Sequence, residues 1–147
     1  KTYRIIAEDL GTIGDFDFND VVFDAYIDGN DAVVTLQAAG GTLPLTVAGK
    51  EVHELFGVET NVMVNTGVGA TKTPVMFRVT NCNNIDNIQI VVNDPETSTY
   101  TLSVATGEAP QKICVDSSYE ITSERQRISV KYPKFLDYVK DPSVKWY

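Results

Sequence analysis

The chain has 147 residues, 43% hydrophobic and 22% charged, a balance that fits one folded domain rather than a disordered tail. Its formal charge of −8 at pH 7 repels phosphate backbones and anionic head groups, which argues against nucleic-acid and membrane-surface binding. No apolar run approaches the roughly 18 residues of a membrane span, so a membrane-inserted segment is not expected.

In chain order, residues 3–8 (YRIIAE) are β-branched and apolar and predict a first strand. After an acidic stretch, residues 21–27 (VVFDAYI) predict a second, ending at the turn residues Asp28-Gly29-Asn30-Asp31. Residues 32–38 (AVVTLQA) return as a third strand, with Val34, Leu36 and Ala38 alternating against Thr35 and Gln37, and Gly40-Gly41 closes it. Residues 50–56 (KEVHELF) carry Val52, Leu55 and Phe56 at helical spacing, with Gly57 as a C-terminal stop. Further strands are predicted over residues 62–64, 75–80, 88–92, 99–105 and 128–132, separated by turn-rich stretches such as Asn83-Asn84 and Asn93-Asp94-Pro95. Residues 133–139 (PKFLDYV) open with a proline suited to a first helical position and place Phe135, Leu136 and Val139 on one side. The sum predicts one all-β domain over residues 1–147, an antiparallel β-sandwich (jelly-roll-like or Ig-like) with one or two short helices.

The negative charge is concentrated. Residues 1–31 hold eight acids against Lys1 and Arg4, whereas the rest of the chain holds twelve acids and ten bases. Within this region Asp15, Asp17 and Asn19 fall at i, i+2 and i+4, the spacing of the first three side-chain ligands of an EF-hand loop. Ca²⁺ takes six to eight hard oxygens, and Gly11 and Gly14 allow the tight turns that bring backbone carbonyls into such a shell. Phe16 and Phe18 alternate with the acids, so the rings face the core while the acids converge opposite them. The EF-hand itself fails: its sixth position is Asp20 instead of glycine and its twelfth is Tyr26 instead of glutamate. The expectation is a calcium-type loop at a strand junction, with Glu8 or Asp9 returning from the preceding strand. The candidate ligand set is Glu8, Asp9, Asp15, Asp17, Asn19 and Asp20.

Other residues read as structural. His53, the sole histidine, has no recognisable nucleophile nearby and fits a packed or helix-surface role better than a general base. Cys82 and Cys114 read as two separate thiols, with one disulfide as the alternative, and no zinc pattern accompanies them. Tyr132, Tyr138, Trp146 and Tyr147 form an aromatic tail suited to sealing a sandwich edge, or alternatively to stacking on sugar rings. Asp15 and Asp17 as a glycosidase pair are the weaker enzymatic alternative.

The stretch EDLGTIGDFDFNDVVFD resembles the signature of LruC-type domains, an uncharacterised family of secreted and surface-exposed bacterial proteins. GGTLPL at residues 40–45, EVHELFGV at 51–58, MVNTG at 63–67 and the C-terminal YPKFLDYV…WY extend the likeness across nearly the whole chain. Ser118-Tyr119-Glu120 departs from it, where a Trp-Pro type pair before the glutamate is expected. The resemblance implies a β-sandwich in the cell envelope or outside the cell, within a longer protein, consistent with a chain that starts at Lys1. It supplies no reaction. The implied function is non-catalytic: calcium binding in adhesion or surface assembly, with a surface protein or glycan as partner.

Overall fold

The computed structural model describes residues 1–9, 17–96, 99–103, 111–124 and 126–147. Two antiparallel sheets form its body. The larger contains β1 (Tyr3–Ala7), β2 (Val21–Asp28), β3 (Asp31–Ala38), β6 (Val75–Val79) and β9 (Lys112–Asp116), in the order β6-β3-β2-β1-β9. The smaller contains β4 (Leu45–Val47), β5 (Lys50–Glu51), β7 (Ile90–Asn93) and β8 (Thr99–Thr101), in the order β5-β4-β7-β8. Among the described residues three short α-helices accompany them, α1 (Val52–Phe56), α2 (Ile128–Lys131) and α3 (Phe135–Lys140), together with a 3-10 turn over Ile85–Asn87. The expected all-β, sandwich-like class is the one observed.

Both faces of the larger sheet are covered, and the sequence explains why. Successive side chains of a strand point to opposite faces, so the adjacent apolar pairs Ile5-Ile6 and Val21-Val22 demand apolar cover on both. Ile5, Ala7, Val21, Phe23, Val34 and Leu36 meet Leu45, Val47, Ile90 and Val92 of the smaller sheet, with Val52 and Phe56 of α1 closing this core. Ile6, Val22, Ala38, Ile113 and Val115 face the other way, onto Tyr119, Ile128, Phe135 and Trp146 from the C-terminal segment. On that second face Arg4 holds both carboxylate oxygens of Asp24, at 2.7 and 3.0 Å, and donates to the Tyr119 carbonyl at 2.6 Å. This two-pronged pair fixes the C-terminal segment against β1 and β2.

A bulge governs the end of β3. Val22 pairs with Ala38 while Phe23 pairs with Leu36, so Gln37 is the extra residue. Ala38 therefore joins the second core instead of sharing a face with Val34 and Leu36, as simple alternation had it.

Several expectations change. The strand expected over residues 128–132 is instead the helix α2, Ile128–Lys131, with Tyr132 as its C-cap. Period-two alternation would bury Val130 with Ile128, yet Ile128 is fully buried and Val130 is 69% exposed. Residues 62–64 contribute only bridges from Val64 to Ala39 and Ala70. The helix expected over 50–56 begins at Val52, because Lys50 and Glu51 pair with β4. In α3, Phe135 is fully buried but Leu136 is 45% exposed. Residues 104 and 105, read as part of a strand, lie outside the described residues. Cys82 and Cys114 are free thiols, one buried and one exposed. No helix among the described residues is long and apolar enough to cross a membrane.

Phe135 sits edge-on to Phe18 at 5.5 Å and to Trp146 at 4.9 Å, at the centre of the second core. Phe135→Ala is expected to lower unfolding free energy by about 3–5 kcal/mol in urea titrations, the usual cost of emptying an aromatic site. Leu136→Ala is expected to change it by no more than about 0.5 kcal/mol.

Candidate metal centre

The acidic motif lies where the central strands run out. Beyond β1, the Glu8 amide still donates to the Gln111 carbonyl at 3.0 Å, and the Asp20 amide donates back to Ala7 at 3.1 Å. The ladder thus carries Glu8, Asp9 and Asp20 to the same end of the sheet on neighbouring strands. Carboxylate oxygens of all three lie within 4.8 Å of one another, and all three residues are buried.

The backbone is shaped to hold them there. Phe18 takes φ +52°, a left-handed conformation that is an outlier for a bulky residue. Its ring, anchored by Phe135, keeps it there, and its amide donates to Glu8 Oε2 at 3.3 Å. The Asp9 amide donates to Asp20 Oδ2 at 2.8 Å, and the Tyr100 hydroxyl donates to the Asp9 carbonyl. Asp17 is buried, and its carbonyl accepts from the Thr122 hydroxyl. Asn19 is fully buried; its Nδ2 donates to the Thr122 carbonyl at 2.8 Å, while its Oδ1 has no hydrogen-bond partner.

Gly40 and Gly41 pass directly over this cluster, donating to the carbonyls of Asn19 and Asp20 at 2.9 and 3.3 Å. A Cβ on Gly40 would lie 2.7 Å from Asn19 Oδ1, and one on Gly41 would lie 2.8 Å from Asp9 Oδ2. Only glycine permits that approach. His53 holds the crossing in place: its Nε2 lies 2.7 Å from the Gly41 carbonyl and its Nδ1 lies 3.0 Å from Glu51 Oε2. Glu51 in turn accepts from the Leu45 and Glu54 amides, both at 2.9 Å. Although burial opposes its ionisation, those amides and His53 hold the Glu51 carboxyl below its ordinary range. His53 is thus a packed structural histidine.

The cluster forms one wall of a cleft of about 670 Å³. Glu8, Asp9, Asp17 and Asp20 line it together with Gly40, Gly41, Thr42, Leu43 and Met63. Asp94, Pro95 and Glu96 contribute from the connection after β7, and Glu124 and Arg127 from the C-terminal segment.

Burial is the first cause of the electrostatic strain here, and the carboxyls' mutual proximity adds to it. The Glu8 carboxyl is pushed up to about 7, with Asp17 and Asp9 adding repulsion to burial. Burial and the neighbouring Asp20 push Asp9 up to about 8, and burial and Glu8 push Asp20 up to about 9.

Among the six expected ligands, Glu8, Asp9 and Asp20 converge and Asp17 lines the same cleft. Asn19 supports the wall through Thr122 and Gly40, and Asp15 lies outside the described residues. The sequence reading did not single out Asp94, Glu96, Glu124 or Arg127, which approach from distant segments. Nor did it assign Gly40-Gly41 a site role, although a paired glycine after a strand was the available signal. No family model, curated protein or solved structure matches the chain.

In an unfolded chain these carboxyls ionise near 4.5 for Glu8 and 3.8 for the aspartates, whereas in the fold they keep their protons up to about 7–9. Between those limits the native state binds more protons, so stability falls as pH rises. The chelator-treated protein is therefore expected to melt at a higher temperature at pH 5 than at pH 8. Saturating Ca²⁺, which competes with those protons, is expected to raise the midpoint more at pH 8 than at pH 5. Paired thermal melts at the two pH values check both.

Proposed function

We propose that this domain is a non-catalytic calcium-binding module of the bacterial cell surface, serving adhesion or surface assembly within a longer protein. The observation that carries the reading is the convergence of Glu8, Asp9 and Asp20, three buried carboxylates with oxygens within 4.8 Å. At neutral pH such a group must stay protonated or share a cation, and a divalent ion held by hard oxygens is the natural counter-charge. Asp17 adds a further carboxylate on the same wall. Ca²⁺ suits an irregular, carboxylate-rich shell better than Mg²⁺, which keeps most of its waters. The surface location and the LruC-type assignment rest on the motif resemblance alone.

The glycosidase alternative finds less support. Its pair is Asp15 and Asp17: Asp15 lies outside the described residues, and Asp17 lines a wall crowded with Glu8, Asp9 and Asp20, an arrangement that suits a shared cation better than two carboxyls set apart across a cleft. Sugar stacking on the aromatic tail also loses ground: Trp146 is only 6% exposed, packed against Phe135, Tyr138 and Tyr147.

At a hundredfold excess over Kd, a bound ion stabilises the native state by about 2.7 kcal/mol. For a domain of this size that raises the melting midpoint by roughly 5–10 °C. Thermal melts in Ca²⁺ against chelator are expected to show such a rise. Asp20→Asn is expected to remove it, and Asp137→Asn, on the exposed surface of α3, to leave it unchanged. No rise in millimolar Ca²⁺ overturns the proposal.

A further inference from the structure

We propose that His53 is held in the fold as an imidazolium, a buried cation that positions the Gly40-Gly41 crossing over Asp9 and Asp20; its consequence for ion binding rests on the calcium reading above. The protonation state follows from what the two ring nitrogens touch. The residue is 1% exposed, so water cannot stand in for either partner. Nε2 lies 2.7 Å from the Gly41 carbonyl oxygen, which can only accept, so Nε2 carries a proton. Nδ1 lies 3.0 Å from Glu51 Oε2. That oxygen also accepts from the Leu45 amide, and Oε1 accepts from the Glu54 amide, both at 2.9 Å. A carboxyl so supplied with donors stays ionised and has no proton to give, so Nδ1 carries one too. A neutral imidazole has a single N–H and would set a bare lone pair against one of these oxygens. Only the doubly protonated ring satisfies both contacts.

The charge is paired, as burial requires. β4, which packs against α1, brings no titratable side chain, and β5 brings Lys50 and Glu51. Lys50 is exposed with its Nζ over the Phe77 ring, and Glu54 of α1 is exposed, which leaves Glu51 as the counter-ion. At the glycine crossing stand Asp9, whose Oδ2 would lie 2.8 Å from a Cβ on Gly41, and Asp20, whose own Cβ would lie 3.2 Å from it.

The cation holds one residue of the crossing from its far end. The Gly41 amide donates to the Asp20 carbonyl at 3.3 Å, a long bond, whereas the Gly41 carbonyl accepts from His53 at 2.7 Å. A charged donor makes a bond roughly twice as strong as a neutral one, so His53 supplies the firmer grip. Glu51 extends that grip to Leu45 at the start of β4. Loss of either ring proton gives up Gly41 or Glu51, and in both cases the crossing loses its tie to α1 and β4. The close approach of Gly41 to Asp9 and Asp20 then has one weak restraint left, and the carboxylates are free to separate.

The test uses the full chain, whose single histidine makes the ring nitrogens directly assignable. Long-range ¹H–¹⁵N NMR at pH 7 in chelator is expected to show both nitrogens protonated in the folded chain. In urea the ring is expected to be mostly neutral, as for an ordinary histidine with a pKa of about 6.5. Glu51→Gln, which removes the counter-charge, is expected to return the folded ring to the neutral form. It is also expected to raise the Ca²⁺ concentration at half of the melting shift at least threefold. Glu51→Asp, which draws the carboxylate back by one methylene, gives a second reading of both quantities should Glu51→Gln fail to fold. Glu59→Gln, an exposed acid beyond α1, is expected to change neither. One bare nitrogen in the folded wild-type chain, with a normal calcium shift, overturns this inference alone. So does a Glu51→Gln ring that stays doubly protonated, or one that turns neutral with an unchanged calcium requirement. Absence of a calcium shift in the wild-type chain overturns the calcium reading and the positioning role with it, while a doubly protonated ring in that chain still supports the buried cation.

Discussion

Gathering like charges in a place stripped of water is the costliest feature of this fold, and most of the surrounding structure makes sense as the means of enforcing it. Glu8, Asp9 and Asp20 sit together because they extend two neighbouring strands whose ladder is already fixed by apolar side chains on both faces. Each acid could reach water if the strand ends frayed. They are kept from doing so by groups that have no need of the acids themselves: the Tyr100 hydroxyl on Asp9, the Phe18 amide on Glu8, and two glycines laid across the top. Proton uptake relieves the repulsion below about pH 7–9, and the proposed calcium ion would relieve it above that range.

Covering the five-stranded sheet on both faces is what makes such burial possible. A two-layer sandwich would leave Ile6 and Val22 on a solvated face, and the strand ends beside them would be wet. Here the C-terminal segment closes that face with Tyr119, Ile128, Phe135 and Trp146 and brings Thr122, Glu124 and Arg127 to the edge of the cleft. The bulge at Gln37 belongs to the same arrangement. By turning Ala38 into the second core, it sets the phase in which Gly40 and Gly41 cross over Asn19 and Asp20.

The central strands were legible because their side chains carry the information locally. Residues 3–8, 21–27 and 32–38 are β-rich runs bounded by turn residues, and their pairing follows from Gly29 at φ +65° in the hairpin. The doubled apolar positions Ile5-Ile6 and Val21-Val22 also announced a two-sided sheet, a signal that the simple sandwich reading left unused. β4 and β9 went unpredicted although Pro44 and Gly49 bracket the first and Pro110 and Ser117-Ser118 the second; at three and five residues, each offers at most two core-facing side chains. The bulge at Gln37 has no side-chain signature, since a bulge is a property of the pairing of two strands and not of either one. For the site, Glu8, Asp9, Asp17 and Asp20 were readable as a dense acidic stretch with interleaved Phe. Its spacing suggested a loop that wraps an ion through Asp15, Asp17 and Asn19. The geometry gathers Glu8, Asp9 and Asp20 from the two strand ends with Asp17 on the same cleft wall, Asn19 acts as a strut to Thr122, and Asp15 lies outside the described residues. Contributions from Asp94, Glu96, Glu124 and Arg127 depend on tertiary approach and leave no mark in local sequence.

Thr122 shows how closely the site and the fold depend on each other. Its hydroxyl donates to the Asp17 carbonyl, and its own carbonyl accepts from Asn19 Nδ2, so one residue of the C-terminal segment grips the acidic motif on both sides of Phe18. Phe18 is itself part of the second core, edge-on to Phe135. A shift of the motif's backbone must therefore be felt in the aromatic packing, and loosening of α3 must be felt among the carboxylates. A calcium ion held as proposed would therefore bear, through the backbone of residues 17–20, on the contacts that join the acidic motif to Thr122 and Phe135.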